Sequence, residues 1–141
     1  MSPAPALRAA AEADIPAVLA FWKLAAEDTN RAGDDAAAVA ALLGRDPGAL
    51  ILAVDGELIV GSVVAGFDGW RCHLYRFAVH PGRRREGIGR RLLDAAERRF
   101  RALGGRRADA MVLEDNALAH PAWAAAGYER QPAWRRWVKR L

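Results

Sequence analysis

A chain of 141 residues, 52% hydrophobic with alanine supplying much of that share, has room for one domain, residues 1–141, with its own core. A single cysteine, Cys72, excludes an internal disulfide and a cysteine-rich zinc site. No apolar run is long enough to span a membrane, and the first thirteen residues lack the basic-then-apolar pattern of a signal peptide. The expectation is therefore a cytoplasmic protein with no metal and no membrane partner.

The net charge of +4 is unevenly spread: residues 1–69 carry −6 and residues 80–107 carry +7. Arginine content raises nucleic-acid binding as one function class. No aromatic-interleaved basic strand or DNA-binding motif accompanies it, so no nucleic-acid partner is expected.

In chain order, Leu7-Arg8-Ala9 predicts a short strand. Asp14 is placed to cap a helix that has Pro16 in its first turn. Ile15, Val18, Leu19, Phe21 and Trp22 recur at helical spacing, which assigns Trp22 to the core ahead of a substrate pocket. Glu27 to Asp35 reads as a polar loop. Its acids Glu27, Asp28, Asp34 and Asp35 would make a negative mouth for a cationic ligand. Ala36 to Leu43 predicts a second helix, ended by Gly44. Ala49 to Val54 and Leu58 to Ala65 are β-branched apolar runs joined by Asp55-Gly56, a hairpin signal. Gly66 to Gly69 reads as a turn, and Arg71 to Val79 as the next strand. Alternation along that strand would put His73, Tyr75, Phe77 and Val79 on one face.

The next turn, His80-Pro81-Gly82-Arg83-Arg84-Arg85-Glu86-Gly87-Ile88-Gly89, opens a helix with Ile88, Leu92, Ala96, Phe100 and Leu103 on one stripe. N–H groups at a helix start have no intrahelical partner, and the dipole adds positive charge, so such a turn suits a phosphate. Gly82 and Gly87 have P-loop spacing, but Ile88 and Gly89 stand where Lys and Ser/Thr should come next, which argues against an NTPase. Gly87-Ile88-Gly89 runs into Arg90-Arg91-Leu92 past mid-chain, a poor match to a dinucleotide fingerprint. Arg98, Arg99, Arg101, Arg106 and Arg107 read as a solvated face; Arg83, Arg84, Arg85 and Arg90 are better placed for phosphates. Gly104-Gly105 stops the helix. Ala108 to Leu113 predicts a strand parallel to the one before the helix. A short helix, Gly127-Tyr128 and a last strand within Ala133 to Val138 complete the chain.

Arg84-Arg85-Glu86-Gly87-Ile88-Gly89 has the form Q/R-x-x-G-x-G/A and comes after Phe77-Ala78-Val79-His80-Pro81. Together they resemble the acyl-CoA signature of the GNAT superfamily of N-acetyltransferases. The element order β-α-α-β-β-β-α-β-α-β extends the resemblance over nearly the whole chain. It implies an α/β (α+β) fold with a mixed, mostly antiparallel central sheet flanked by helices. It also implies an acetyl-CoA-dependent N-acetyltransferase that moves an acetyl group to an amine of a small molecule or protein by direct attack on the thioester.

On that resemblance, Phe77, Ala78 and Val79 would bind pantetheine through their backbone. Arg84, Arg85, Glu86, Gly87, Ile88, Gly89 and Arg90 would cradle the pyrophosphate. Asn116, eleven residues before Gly127-Tyr128, matches the family's pantetheine contact; as a plain reading, Asn116 caps the helix. Trp123 stands where many members carry a Tyr that protonates the leaving thiolate. An indole N–H donates a hydrogen bond but is no practical acid, so Trp123 either packs on the sulfur or is a core aromatic. A thiol pKa of about 8.5 lets a thiolate leave without that acid. Pro121 would interrupt a helix begun at Asn116, which predicts a later start.

His73 falls where some members place a catalytic Glu and is the candidate base, acting through water; as a plain reading it is a strand histidine with no role. Tyr75 is the accompanying acceptor-side candidate, with core packing as its plain reading. His80 reads as a loop cap, and Glu114 as a solvated strand-end acid. The resemblance also raises a homodimer, with the last strand, Trp134 and Trp137 as the interface. The missing Tyr leaves open an alternative, a GNAT-fold acyl-CoA-binding module with weak or no catalysis.

Overall fold

Three antiparallel pairings and one parallel pairing build a single five-stranded sheet in the order β1-β2-β3-β4-β5. The structure is a computed structural model that describes residues 3–25, 34–112, 114, 116 and 119–141. The chain divides into two units, Met1–Met111 and Val112–Leu141. The first holds the sheet: β1 (Ala6–Ala9), β2 (Leu50–Asp55), β3 (Leu58–Phe67), β4 (Cys72–Val79) and β5 (Ala108–Ala110), with helices α1 (Ile15–Ala25), α2 (Ala36–Arg45) and α3 (Ile88–Ala102). The mixed, mostly antiparallel sheet flanked by helices is the architecture that the resemblance implies.

One face of the sheet packs on α1 and α2. Ile15, Val18, Phe21, Trp22 and Val39 meet Leu50, Leu52, Val54, Ile59, Val64 and Ala78 there. Each of the large side chains contributes about 1.5–3 kcal/mol by leaving water. The indole N–H of Trp22 donates to Ser62 Oγ at 2.9 Å, which satisfies the one buried polar side chain among the described core residues. This places Trp22 in the core, as its spacing predicts. The other face takes α3, whose Ile88, Leu92, Leu93, Ala96 and Phe100 are buried. A Cβ at Gly61 would fall 2.8 Å from Leu92 Cδ1 and 2.9 Å from Ile88 Cγ2, so glycine there sets how closely α3 lies on β3.

Several boundaries differ from those expected, each for a local reason. Asp14 does not cap α1. It ends a 3₁₀ turn over Glu12–Asp14, where its carboxylate accepts from the Ala11 N–H at 2.7 Å and pairs with Arg8 at 2.7 Å. Asp35 caps α2, accepting from the Ala38 N–H at 2.7 Å. Gly44 lies within α2, and Asp46 closes the helix with an N–H donated to the Leu42 carbonyl. β3 runs on to Phe67, two residues into the expected turn, because Gly66 and Phe67 still pair with His73 and Cys72. β5 is shorter than predicted, and Leu113 lies outside the described residues, as does the 27–33 part of the expected loop.

In the second unit, α4 (His120–Ala125) begins late enough to place Pro121 in its first turn, where a missing N–H costs no helical bond. Gly127 turns the chain at φ 93°, and Tyr128 meets Trp123 edge-to-face with ring centroids 5.1 Å apart. The expected strand within Ala133 to Val138 is not formed. Trp134 and Trp137 recur every three residues rather than two, with paired basic residues between and after them, and both are exposed. The proposed strand-borne dimer interface therefore loses its strand. No helix among the described residues is long and apolar enough to cross a membrane.

The Arg8 guanidinium and the Ala11 N–H hold the Asp14 carboxyl at about 2, below its unfolded value of about 3.9. The stabilisation is thus fully present above pH ~4 and is lost as the pH falls through ~2. Because the Arg8 side chain is half-exposed and solvent screens the pair, Asp14→Asn is expected to cost only about 0.5–1 kcal/mol at pH 7. Urea denaturation at pH 7 and pH 2.5 checks this: the gap between wild type and variant should shrink at the lower pH.

Candidate functional site

β4 is the element on which the site is built. β5 pairs with it only over Cys72, His73 and Leu74, opposite Ala108, Asp109 and Ala110. From Tyr75 to Val79 the strand has no β5 partner among the described residues. This part of β4 thus lies beyond the end of the described β4–β5 ladder. An extended ligand can add to a strand at a ladder end through main-chain hydrogen bonds.

That same stretch carries a bulge. Ser62 pairs with Ala78 and Val64 with Tyr75, so Val63 alone opposes both Arg76 and Phe77. Arg76 has φ 50°, the left-handed region that a non-glycine residue rarely adopts. The extra residue resets the alternation of the strand. Arg76 lies over the Trp22 ring at 5.7 Å, on the α1 side, and Ala78 joins the core of α1 and α2. Phe77 and Val79 turn to the α3 side, where a Cβ on Gly89 would lie 3.0 Å from Phe77 Cζ and 3.5 Å from Val79 Cγ2. The expectation that His73, Tyr75, Phe77 and Val79 share a face is thus corrected. His73 and Tyr75 lie opposite Cys72, which packs at Gly105 beside α3, and Tyr75 rests against Gly66.

After β4, Pro81–Arg83 forms a 3₁₀ turn that His80 caps, its Nδ1 accepting from the Gly82 N–H at 3.0 Å. The loop then turns twice through positive φ, at Arg85 (67°) and Gly87 (80°). No side chain caps α3; its first intrahelical bond runs from the Arg91 N–H to the Gly87 carbonyl, so the N–H groups of Ile88 and Gly89 precede any helical acceptor. Turned N–H groups at a positive helix end are an arrangement that suits an anion.

The loop's arginines divide by the groups they meet. Arg83 donates to Glu86 at 2.9 Å and to Asp55 in the β2–β3 turn at 2.8 Å, and those carboxylates raise its pKa. It braces the loop rather than facing a phosphate, and Glu86 is engaged in the same brace. Arg90 pairs with Asp94 at 3.2 Å one turn along α3. Arg84 and Arg85 are exposed on the loop beside the uncapped helix end.

On the α1/α2 face of β4, His73 Nδ1 lies 2.8 Å from Asp109 Oδ1, its register partner on β5, and Nε2 lies 4.0 Å from Asp68 Oδ2. A carboxylate only accepts, so Nδ1 holds the proton toward Asp109 and a neutral ring keeps its lone pair on Nε2. Tyr75 is 43% exposed, and burial of the remainder raises its phenol above the ordinary range. It stays protonated at neutral pH as a hydrogen-bond donor. The negative mouth loses two of its four acids: Asp34 pairs with Arg76 at 2.6 Å and Asp35 caps α2, while Glu27 and Asp28 lie outside the described residues.

Asn116 and Trp123 belong to the second unit. The Asn116 carbonyl accepts from the Ala119 N–H at 3.1 Å in a turn ahead of α4, and Ala119, not Asn116, occupies the cap position. Trp123 is buried. Three features of the site escape residue patterns: the Asp109 partner of His73, the Arg83 brace, and the Arg76 bulge. The last had a signal, a charged residue interrupting an otherwise apolar and aromatic strand end.

Similar sequences and the same fold occur in known proteins. Residues 15–128 match the model of the acetyltransferase (GNAT) family. An acetyltransferase of Yersinia pestis (strain Pestoides F) is 35% identical over 89 residues, and the match spans 63% of this chain and 63% of that protein's length. Among solved structures, yncA of Salmonella typhimurium, described as a putative acetyltransferase with its cofactor acetyl-CoA, superposes with TM-score 0.73 at 21% identity over 89% of this chain and 79% of that one. An aminoglycoside acetyltransferase from an uncultured soil metagenomic sample, in complex with sisomicin, gives TM-score 0.78 at 18% identity over 96% and 95%. At those identities the likeness is one of fold. With the family match covering most of the sequence, the chain belongs to the GNAT acetyltransferase family.

Proposed function

We propose that this chain is an acetyl-CoA-dependent N-acetyltransferase whose residues 1–141 act as one functional domain in the cytoplasm. The observation that carries the reading is the join of two features on one stretch of chain: the bulged half of β4, beyond the described β5 ladder, and the uncapped, arginine-flanked start of α3. Acetyl-CoA supplies an activated acyl group and brings phosphates that suit this cradle. Arg84, Arg85 and the N–H groups from Gly87 through Arg90 would bind those phosphates. Phe77, Ala78 and Val79 would hold pantetheine by their main chain. Asn116 and Trp123 are proposed contacts of the pantetheine arm and its sulfur, on the family pattern.

The amine acceptor must lose its proton before it attacks the thioester directly, and a lysine-type amine has a pKa near 10.4. His73, with Nδ1 held by Asp109 and Nε2 available, is the proposed base, taking the proton through water. Tyr75 is the proposed hydrogen-bond donor to the acceptor. Aminoglycoside acetyltransferases share the fold, and small polyamines are reasonable first acceptors, alongside protein amines. Trp123 in place of a proton-donating Tyr favours a second reading, a GNAT-fold acyl-CoA-binding module with weak or no catalysis. Turnover on an amine panel separates the two.

Calorimetric titration with acetyl-CoA, with ATP as control, tests the cradle. Gly87 holds φ 80° in open space, and Asn and Asp both tolerate that conformation while differing only in charge. Gly87→Asn is expected to bind within a few-fold of wild type. Gly87→Asp should weaken acetyl-CoA by about tenfold or more through charge repulsion, even though an acid there stabilises the helix end. Equal affinity in both variants would contradict the assignment.

For the base, His73→Gln should lower kcat/KM on an accepted amine by about 100-fold and leave the acetyl-CoA affinity unchanged. Asp109→Asn should have a smaller effect in the same direction. Steady-state rates against pH check both; an unchanged profile in His73→Gln would remove His73 from the mechanism.

A further inference from the structure

The bulge in β4 depends on a residue whose own backbone is unfavourable. Glycine is the usual occupant of a left-handed position, and here it is Arg76 at φ 50°. Every part of that residue is held. Its carbonyl accepts from Ser62 Oγ at 2.8 Å, and Ser62 Oγ in turn accepts from the Trp22 indole at 2.9 Å. Its guanidinium lies over the same Trp22 ring at 5.7 Å. Nε and the terminal nitrogen both reach Asp34 Oδ1, at 2.7 and 2.6 Å, with both side chains largely buried. Asp34 lies one residue before the cap of α2, so the clamp ties α1, the α2 entry and β3 to one residue of β4.

We propose that Arg76 is a positioning residue: the clamp on its side chain keeps its backbone left-handed, and that conformation sets the bulge on which acetyl-CoA binding depends. The inference rests on the reading that the bulged half of β4 holds acetyl-CoA. The bulge decides which way Phe77 and Val79 point. With it, Phe77 reaches Gly89 at the phosphate loop, so the pantetheine edge and the cradle are set in register. Without it, strand parity would carry Phe77 to the opposite face and shift every main-chain group beyond it by one residue. Asp34 and Trp22 thus act through Arg76 and need not touch the ligand.

The side chain and the backbone requirement can be separated. Arg76→Ala removes the clamp and leaves an L-residue in a disfavoured conformation. Arg76→Gly also removes the clamp but adopts positive φ freely. Asp34→Asn weakens the clamp without altering β4, and keeps the test valid if Arg76→Ala does not fold. The probe is acetyl-CoA, measured by calorimetry on the whole chain, with amide NMR positions of Phe77 and Ala78 as the structural readout.

The expected result is a loss of acetyl-CoA affinity of about tenfold or more in Arg76→Ala. Arg76→Gly should return to within about threefold of wild type, with its Phe77 and Ala78 amides near their wild-type positions. Asp34→Asn should shift in the direction of Arg76→Ala. If Arg76→Ala binds as wild type does, or if Arg76→Gly loses as much as Arg76→Ala, the clamp does not act through the backbone and the inference fails. If folded wild type binds no acetyl-CoA, the functional reading fails first and takes this inference with it.

Discussion

An arginine in the left-handed region costs about 1–2 kcal/mol relative to an ordinary strand conformation. β4 accommodates one because three interactions hold it: a buried hydrogen bond to its carbonyl, an ion pair shielded from water and a cation–π contact. A hydrogen bond contributes about 1 kcal/mol net, and a partly desolvated cation–π contact about 1–2 kcal/mol. Together they exceed the backbone cost. The bulge has a geometric effect. It lies just past the end of the described β4–β5 ladder, and it sends Phe77 and Val79 toward α3 while Ala78 stays in the α1/α2 core.

The second constraint is electrostatic. The stretch from residue 80 to 107 is strongly basic, and three of its arginines are held by carboxylates. Arg83 is held by Asp55 and Glu86, Arg90 by Asp94, and Arg99 by Asp46. The Arg83 brace fixes the loop against the β2–β3 turn, so that the N–H groups at the start of α3 stand in a set arrangement before any anion arrives. Preorganisation of that kind removes an ordering cost from binding.

Elements with a strong local pattern could be read directly from the residues. The Asp55-Gly56 hairpin, the α3 stripe and the parallel β4–β5 unit are each dictated by spacing and turn chemistry. The cofactor-like turn was legible because glycine and arginine at fixed positions have few other uses. The bulge was not, because alternation assumes a strict period of two, and one residue at φ 50° breaks it through contacts 14, 42 and 54 positions away in sequence, with Ser62, Asp34 and Trp22. Asp14, Gly44 and Asp35 show the same limit at helix ends, where several capping residues lay within reach and packing selected one. Trp134 and Trp137 invited a strand by composition while their spacing of three argued against it.

If the bulged half of β4 and the start of α3 form one acetyl-CoA site, both must respond to the ligand together. The most direct measurement is an amide NMR titration of the isotopically labelled protein with acetyl-CoA. The largest shifts are predicted to fall on Phe77, Ala78 and Val79 together with Arg84 through Arg90, saturating along a single binding curve. Saturable shifts confined to another surface, such as the shallow groove of Leu7, Arg91, Asp94 and Arg98, would contradict a single site of this kind.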